Sequence, residues 1–151
     1  MSDTTKEVAR SERAGDVVTV PLAATAATYR KGQLLNVNAY GYGKKGEDAA
    51  AERFAGIADE SVEVVTGGSA GDEAIKVRQK GLFLLEFDST LTQADVEKAA
   101  YVANNFQMAR VGDVSHSVFA GIIKEIVSAA KAWVDIEPAI PGLATLANAI
   151  S

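Results

Sequence analysis

The sequence predicts an all-β fold: a small barrel or sandwich of two similar halves with one short helix, an extended N-terminal arm and an apolar C-terminal tail. Two observations carry this. The tetrapeptide Phe54-Ala55-Gly56-Ile57 recurs 65 residues on (119 − 54) as Phe119-Ala120-Gly121-Ile122. Each copy opens a strand-like run, and a second run follows it, Ala74 to Arg78 in one half and Ala132 to Ile136 in the other. Apolar residues in most of these runs alternate with period two, the mark of a half-buried strand. Two copies are fewer than the roughly three a solenoid needs, so the halves are expected to close into one body.

The bulk numbers narrow the function classes. A chain of 151 residues fits one domain. Its hydrophobic fraction of 48% is inflated by alanine and only 7% is aromatic, so the core is expected to be thin and oligomerisation to add burial. With no cysteine there is no disulfide and no thiolate metal site. A net charge of −5 argues against a direct nucleic-acid partner, because phosphate binding needs a concentrated basic surface. No apolar run approaches the roughly 18 residues of a membrane span and no signal-peptide pattern opens the chain, so no membrane partner and synthesis in the cytoplasm are expected.

Taken in order, residues 1–15 read as a flexible polar arm and 16–138 as a single β domain with a pseudo-repeat over 29–88 and 94–138. Residues 139–151 read as a tail in which Leu143, Leu146, Ala147 and Ile150 have helical spacing. Asp16 to Leu22 is a strand with Val18, Val20 and Leu22 on one face and Pro21 at an edge or bulge. Lys31-Gly32 turns into Gln33 to Tyr40, where Leu35, Val37 and Ala39 are expected inward and Asn36 and Asn38 wet. A glycine loop, Gly41 to Gly46, and a short alanine-rich stretch, Glu47 to Arg53, precede the first Phe-Ala-Gly-Ile strand, which continues through Val65.

Ala74 to Asp88 reads as one long strand, bent or bulged at Gly81. It is wet on its even positions at first and apolar on both faces at Leu82 and Leu84. Something must cover that second region, either the chain's own N-terminal strand or a neighbouring subunit. Thr92 and Asp95 form a capping box for one or two helical turns. Tyr101 to Val111 reads as a hairpin turning at Asn104-Asn105, and Pro138 and Pro141 end the sheet.

No stretch carries convincing chemistry. Gly41-x-Gly43-x-x-Gly46 fits the dinucleotide fingerprint, with Asp59 or Glu60 near the acidic position. The following stretch is too short for a crossover helix, however, and no strand–helix–strand unit repeats. A flexible glycine loop displaying tyrosines is the expectation. Asp113, His116 and Ser117 have the residue types of a hydrolase triad but sit on one loop, whereas triads assemble from separate segments. One histidine without spaced carboxylates makes no metal site. No enzymatic activity and no cofactor are therefore expected.

The order of segments adds a resemblance. A strand pair leads to a Gly-containing Phe-Ala-Gly-Ile strand and a charged hairpin ending in Lys76-Val77-Arg78-Gln79-Lys80-Gly81. The short helical stretch Ala94 to Lys98 and Ala100-Tyr101-Val102 follow, then the second Gly-Ile strand and Ala132-Trp133-Val134-Asp135-Ile136. From Asp16 to Pro138 this resembles the capsid decoration (head cement) proteins of tailed bacteriophages.

The resemblance implies a non-enzymatic virion component on the capsid exterior, bound to the major capsid protein and commonly a homotrimer. Expected partner contacts are Arg10 and Arg13 on the arm, Tyr40, Tyr42, Lys44 and Lys45 on the glycine loop, and Trp133. A nucleotide-binding or enzymatic domain using Gly41 to Gly46, or another virion component such as a tail or fibre-base protein, is the alternative.

Overall fold

The computed structural model describes residues 17–65 and 67–139, and along them the chain is all-β. In the first half lie β1 (Val17–Pro21), β2 (Ala27–Tyr29), β3 (Leu34–Val37), β4 (Gly43–Lys45), β5 (Arg53–Ala58), β6 (Val62–Val64) and β7 (Ala74–Arg78). In the second lie β8 (Leu82–Phe87), β9 (Ala99–Val102), β10 (Gln107–Arg110), β11 (Phe119–Ser128) and β12 (Lys131–Asp135). Single 3₁₀ turns occupy Gln93–Asp95 and Glu137–Ala139.

Two five-stranded bodies result, and they have the same topology. β10, β8, β12, β11 and β9 close a barrel in that order, with β8 and β10 parallel. In the first half β1, β7, β5, β3 and β4 take the same order, and a parallel bridge between Leu22 and Gly43 joins the two ends. That bridge matches the Phe87–Met108 pairing of the second barrel residue for residue at an offset of 65.

The same offset runs through the backbone. Asn38 N–H donates to Tyr42 O as Ala103 N–H does to Gln107 O, and Ala58 N–H donates to Gln33 O as Ile123 N–H does to Lys98 O. Gly32 N–H donates to Ala58 O as Glu97 N–H does to Ile123 O. The repeat laid out by the pairing is therefore 17–78 and 82–135. It begins earlier in both halves than the 29–88 and 94–138 expected from the sequence, because β1 and β8 are equivalent first strands.

The Phe-Ala-Gly-Ile copies are the hub of each barrel. Phe54 pairs with Asn36 and Gly56 with Leu35, leaving Ala55 bulged; Phe119 pairs with Tyr101 and Gly121 with Ala100, leaving Ala120 bulged. The bulge turns Ala55 and Ala58 into the first barrel while Phe54 and Ile57 face out of it. A five-stranded barrel has room only for side chains, and both are filled. Equivalent interior positions trade volume: Leu35 and Ile75 against Ala100 and Ala132, Gly43 and Ala58 against Met108 and Ile123. Such compensating exchanges preserve packing.

The barrels share a core. Leu34, Phe54 and Ile57, on the outer side of the first barrel, are at most 5% exposed and belong to the same apolar cluster as the second barrel's interior. Leu34 N–H donates to Asn105 O at 2.8 Å, and the Asp48 carboxylate accepts from Ser115 N–H and His116 N–H at 2.7 and 2.8 Å.

Several expectations change. Ala74 to Asp88 is two strands in different barrels, because Gly81 takes φ +120° and redirects the chain. Asn36 is fully buried instead of wet: it faces the second barrel, and its amide donates to Glu47 O and to Glu52 Oε1. The first Phe-Ala-Gly-Ile run stops at Ala58, and Val62–Val64 pairs instead with β2, a strand the sequence did not suggest. Tyr29 and Val64 from that ribbon complete the first barrel's core. Pro21 ends the edge strand β1, where a missing N–H costs no ladder bond. The arm 1–15 and residues 140–151 of the expected tail lie outside the described residues, while Ala139 is buried in the last 3₁₀ turn.

Candidate partner-binding surface

Three exposed large apolar side chains gather on the outer face of β8 and β12. Alternation places Leu85, Phe87, Ala132 and Val134 inside and sends Leu82, Leu84 and Trp133 out. Leu84 and Trp133 are direct cross-strand partners, exposed by 44% and 37%, and Leu82 beside them is 55% exposed. Cross-strand partners stand close enough to form one surface. The chain's own N-terminal strand does not cover this strip, because β1 pairs with β7 instead. Among the described residues nothing else covers it.

The duplication gives a control for this strip. At the equivalent positions of the first barrel stand Val17, Thr19 and Lys76, and Thr19 and Lys76 are polar and exposed. The fold therefore does not require an apolar residue at Leu84 or Trp133. A shallow cleft of about 220 Å³ adjoins the strip, lined by Lys31, Ile57, Asp59, Arg78, Phe83 and Leu84. Arg78 Nε donates to Asp59 at 2.8 Å across its rim.

The expected glycine loop is a β hairpin. β3 and β4 are antiparallel, and Gly41, with φ +88°, makes the turn between them. The Asn38 side-chain oxygen accepts from the N–H groups of Tyr40 and Tyr42 at 2.9 and 3.0 Å and holds that turn. Tyr40 stands at its tip, 87% exposed, while Tyr42 is half-buried. Lys45 is half-buried in β4. Lys44 is tied to its own barrel, with its ammonium on the carboxylates of Glu47 and of Glu52, the latter at 2.7 Å.

Burial alone would lower the Lys44 pKa, but hydrogen bonds and charge from Glu47 and Glu52 outweigh it and raise the value. A second cleft, of about 460 Å³, lies beside this pair and is lined by Ala23, Ala27, Tyr29, Asn38, Lys44 and Glu52. Burial raises the pKa of the Tyr29 hydroxyl there, and the charge of Lys44 partly offsets it.

Trp133 stands on the second barrel, and Tyr40, Tyr42, Lys44 and Lys45 stand on the first. Arg10 and Arg13 lie outside the described residues. The sequence marks Leu82 and Leu84 as a region that needs a cover and Trp133 as a contact candidate, but only the β8–β12 register brings Leu84 and Trp133 together.

His116 Nδ1 lies 3.1 Å from Asp48 O, so the ring is engaged with the first barrel and not with Asp113. The antiparallel β3–β4 hairpin is incompatible with the strand–turn–helix that a dinucleotide fingerprint needs. Among the described residues no group of three His, Asp or Glu side chains is placed to hold a metal ion, and no helix is long and apolar enough to cross a membrane. Comparison with models of protein families, with curated proteins and with solved structures returns no match.

Proposed function

We propose that this protein is a capsid decoration protein: a non-enzymatic virion component on the capsid exterior that binds the major capsid protein and stabilises the head. The observation that carries the reading is the Leu82–Leu84–Trp133 strip. At its centre, Leu84 and Trp133 are apolar where the other repeat has exposed Thr19 and Lys76, so their apolarity answers to a partner and not to the fold. The segment order from Asp16 to Pro138 names the partner class through the family it resembles. Strips repeated over a shell would give avidity that one site lacks.

Co-sedimentation with emptied, expanded phage heads tests it. The native chain is expected to pellet with heads, and the doubly changed Leu84→Thr, Trp133→Lys chain to stay in the supernatant while folded. A folded native chain that stays in the supernatant overturns the proposal, as does undiminished binding by the double variant.

A further inference from the structure

Among the described residues, the chain contains one half of an interface twice and covers it once. The receiving half is the outer side of β3 and β5, where Leu34, Phe54 and Ile57 are buried under the second barrel and Asp48 accepts two of its backbone N–H groups. At an offset of 65 the second barrel repeats this half as Ala99, Phe119, Ile122 and Asp113. Ala99, Phe119 and Ile122 are only half-buried, with one side of Phe119 resting on the Tyr101 ring and on the barrel's own core, and Asp113 is exposed.

The inserting half is present twice as well. In the second barrel it is the β9–β10 turn, whose Asn105 O accepts from Leu34 N–H, together with the N–H groups of Ser115 and His116. The first barrel repeats it as the β3–β4 turn, with Tyr40 at the place of Asn105 and Ala50 and Ala51 at the places of Ser115 and His116. All three are exposed.

We infer that a second copy of this chain covers this half-buried receiving face: its first barrel sits on Phe119 and Ile122 as the second barrel sits on Phe54 and Ile57 within one chain. The contact is heterologous, one surface meeting a different one, and such contacts propagate until a ring closes. The occupant is specified by the molecule's own junction, continued from barrel to barrel. In that arrangement Tyr40 O of one copy accepts from Ala99 N–H of the next, and Asp113 accepts from the N–H groups of Ala50 and Ala51. The interface is independent of what the assembly goes on to bind.

Light scattering on the full chain, without heads, tests this. The native protein is expected to run as a closed oligomer of its 15.8 kDa chain. Phe119→Glu is expected to weaken association at least about a hundredfold, as loss of a central apolar anchor does. Circular dichroism checks that the variant is folded. Ala50→Glu, which sets a carboxylate against the neighbour's Asp113, is expected to dissociate the oligomer, and adding Asp113→Lys in the same chain to restore it.

Mixing Phe119→Glu with Ala50→Glu is expected to give a one-to-one dimer, since each variant keeps one intact half. A native chain that is monomeric at tens of micromolar overturns the proposal. So does an oligomer that Phe119→Glu leaves intact while Leu84→Thr with Trp133→Lys dissolves it, which would move the contact to the β8–β12 strip. The mass is read without heads, so it can fail or succeed separately from the capsid reading.

Discussion

Gly56 and Gly121 occupy the same point of the two barrels, each pressed against a backbone carbonyl. A Cβ on Gly56 would lie 2.4 Å from Arg78 O, and one on Gly121 would lie 2.4 Å from Asp135 O. Both residues have positive φ, +137° and +150°. Backbone cannot yield as a flexible side chain would, so Gly56→Ala or Gly121→Ala is expected to cost about 3 kcal/mol or more, from strain and clash together. Gly112→Ala makes the comparison: its φ is +90° but nothing lies within 4 Å, so only the conformational cost of about 1 kcal/mol applies. Urea denaturation of the three variants measures this, and equal losses at all three would refute it.

Glu97 carries the opposite lesson. It has φ +70° and stands where the first barrel has Gly32 at φ +94°, and both N–H groups make the equivalent bond. A side chain there costs about 1 kcal/mol of backbone strain. Its exposed ion pair with Lys124, at 2.7 Å, returns only about 0.5 kcal/mol. Glu97→Gly is therefore expected to raise stability slightly, by about 0.5 kcal/mol, and Glu97→Ala to lower it. The same denaturation curves decide, and a clear loss on Glu97→Gly would show the ion pair to be the larger effect.

These positions mark what could be read without coordinates. The Phe-Ala-Gly-Ile repeat was visible because a bulge that forces glycine against a neighbouring carbonyl leaves an invariant mark in both copies. Strand existence follows from alternation in β1, β3, β7 and β12, and from the Asn104-Asn105 turn for β9 and β10. The split at Gly81 was hidden, since a glycine between two alternating runs looks the same whether the chain bulges or leaves for another barrel. Asn36 looked wet because polar residues usually are, and only the second barrel's position reveals what buries it. Trp133 was legible as a surface candidate, whereas its pairing with Leu84 needed the β8–β12 register, which links residues far apart in the chain.

The Lys44 cluster gives a pH dependence. Its pKa is raised, as is that of Tyr29 beside it. A raised folded pKa means that the folded state holds the proton more tightly, so the contribution is complete below the unfolded values, about 10 for both groups. It is lost as pH rises through the folded values. Thermal stability is therefore expected to fall above about pH 10. Glu52→Gln removes one of the partners holding the Lys44 proton and is expected to start the fall at lower pH. A melting-temperature series from pH 8 to 11.5 with both proteins reads it, and superimposable curves would contradict the assignment.

The exposed strip should contribute little to the stability of the chain itself. Leu84 and Trp133 keep large exposed fractions, and the first barrel folds with Thr19 and Lys76 in their places. Leu84→Thr and Trp133→Lys are each expected to change the unfolding free energy by less than about 1 kcal/mol, as surface changes do. Val134→Ala, one residue along β12 and fully buried, is expected to cost about 2 kcal/mol. A loss at Trp133 as large as that at Val134 would mean that the strip is internal packing.

Asp48 is where the two barrels are joined by hydrogen bonds instead of apolar contact. Its half-buried carboxylate accepts two backbone N–H groups from one loop of the other barrel, and charged acceptors make stronger bonds than neutral ones. Asp48→Ala leaves both donors without this partner and is expected to cost about 2 kcal/mol, while Asp48→Asn, which keeps a neutral acceptor, costs about half. Because Leu34, Phe54 and Ile57 put the junction inside the second barrel's core, the loss should move a single cooperative transition and not divide it. Calorimetry of Asp48→Ala distinguishes these outcomes: one shifted peak is expected, and two peaks would show that the barrels unfold independently once this carboxylate is gone.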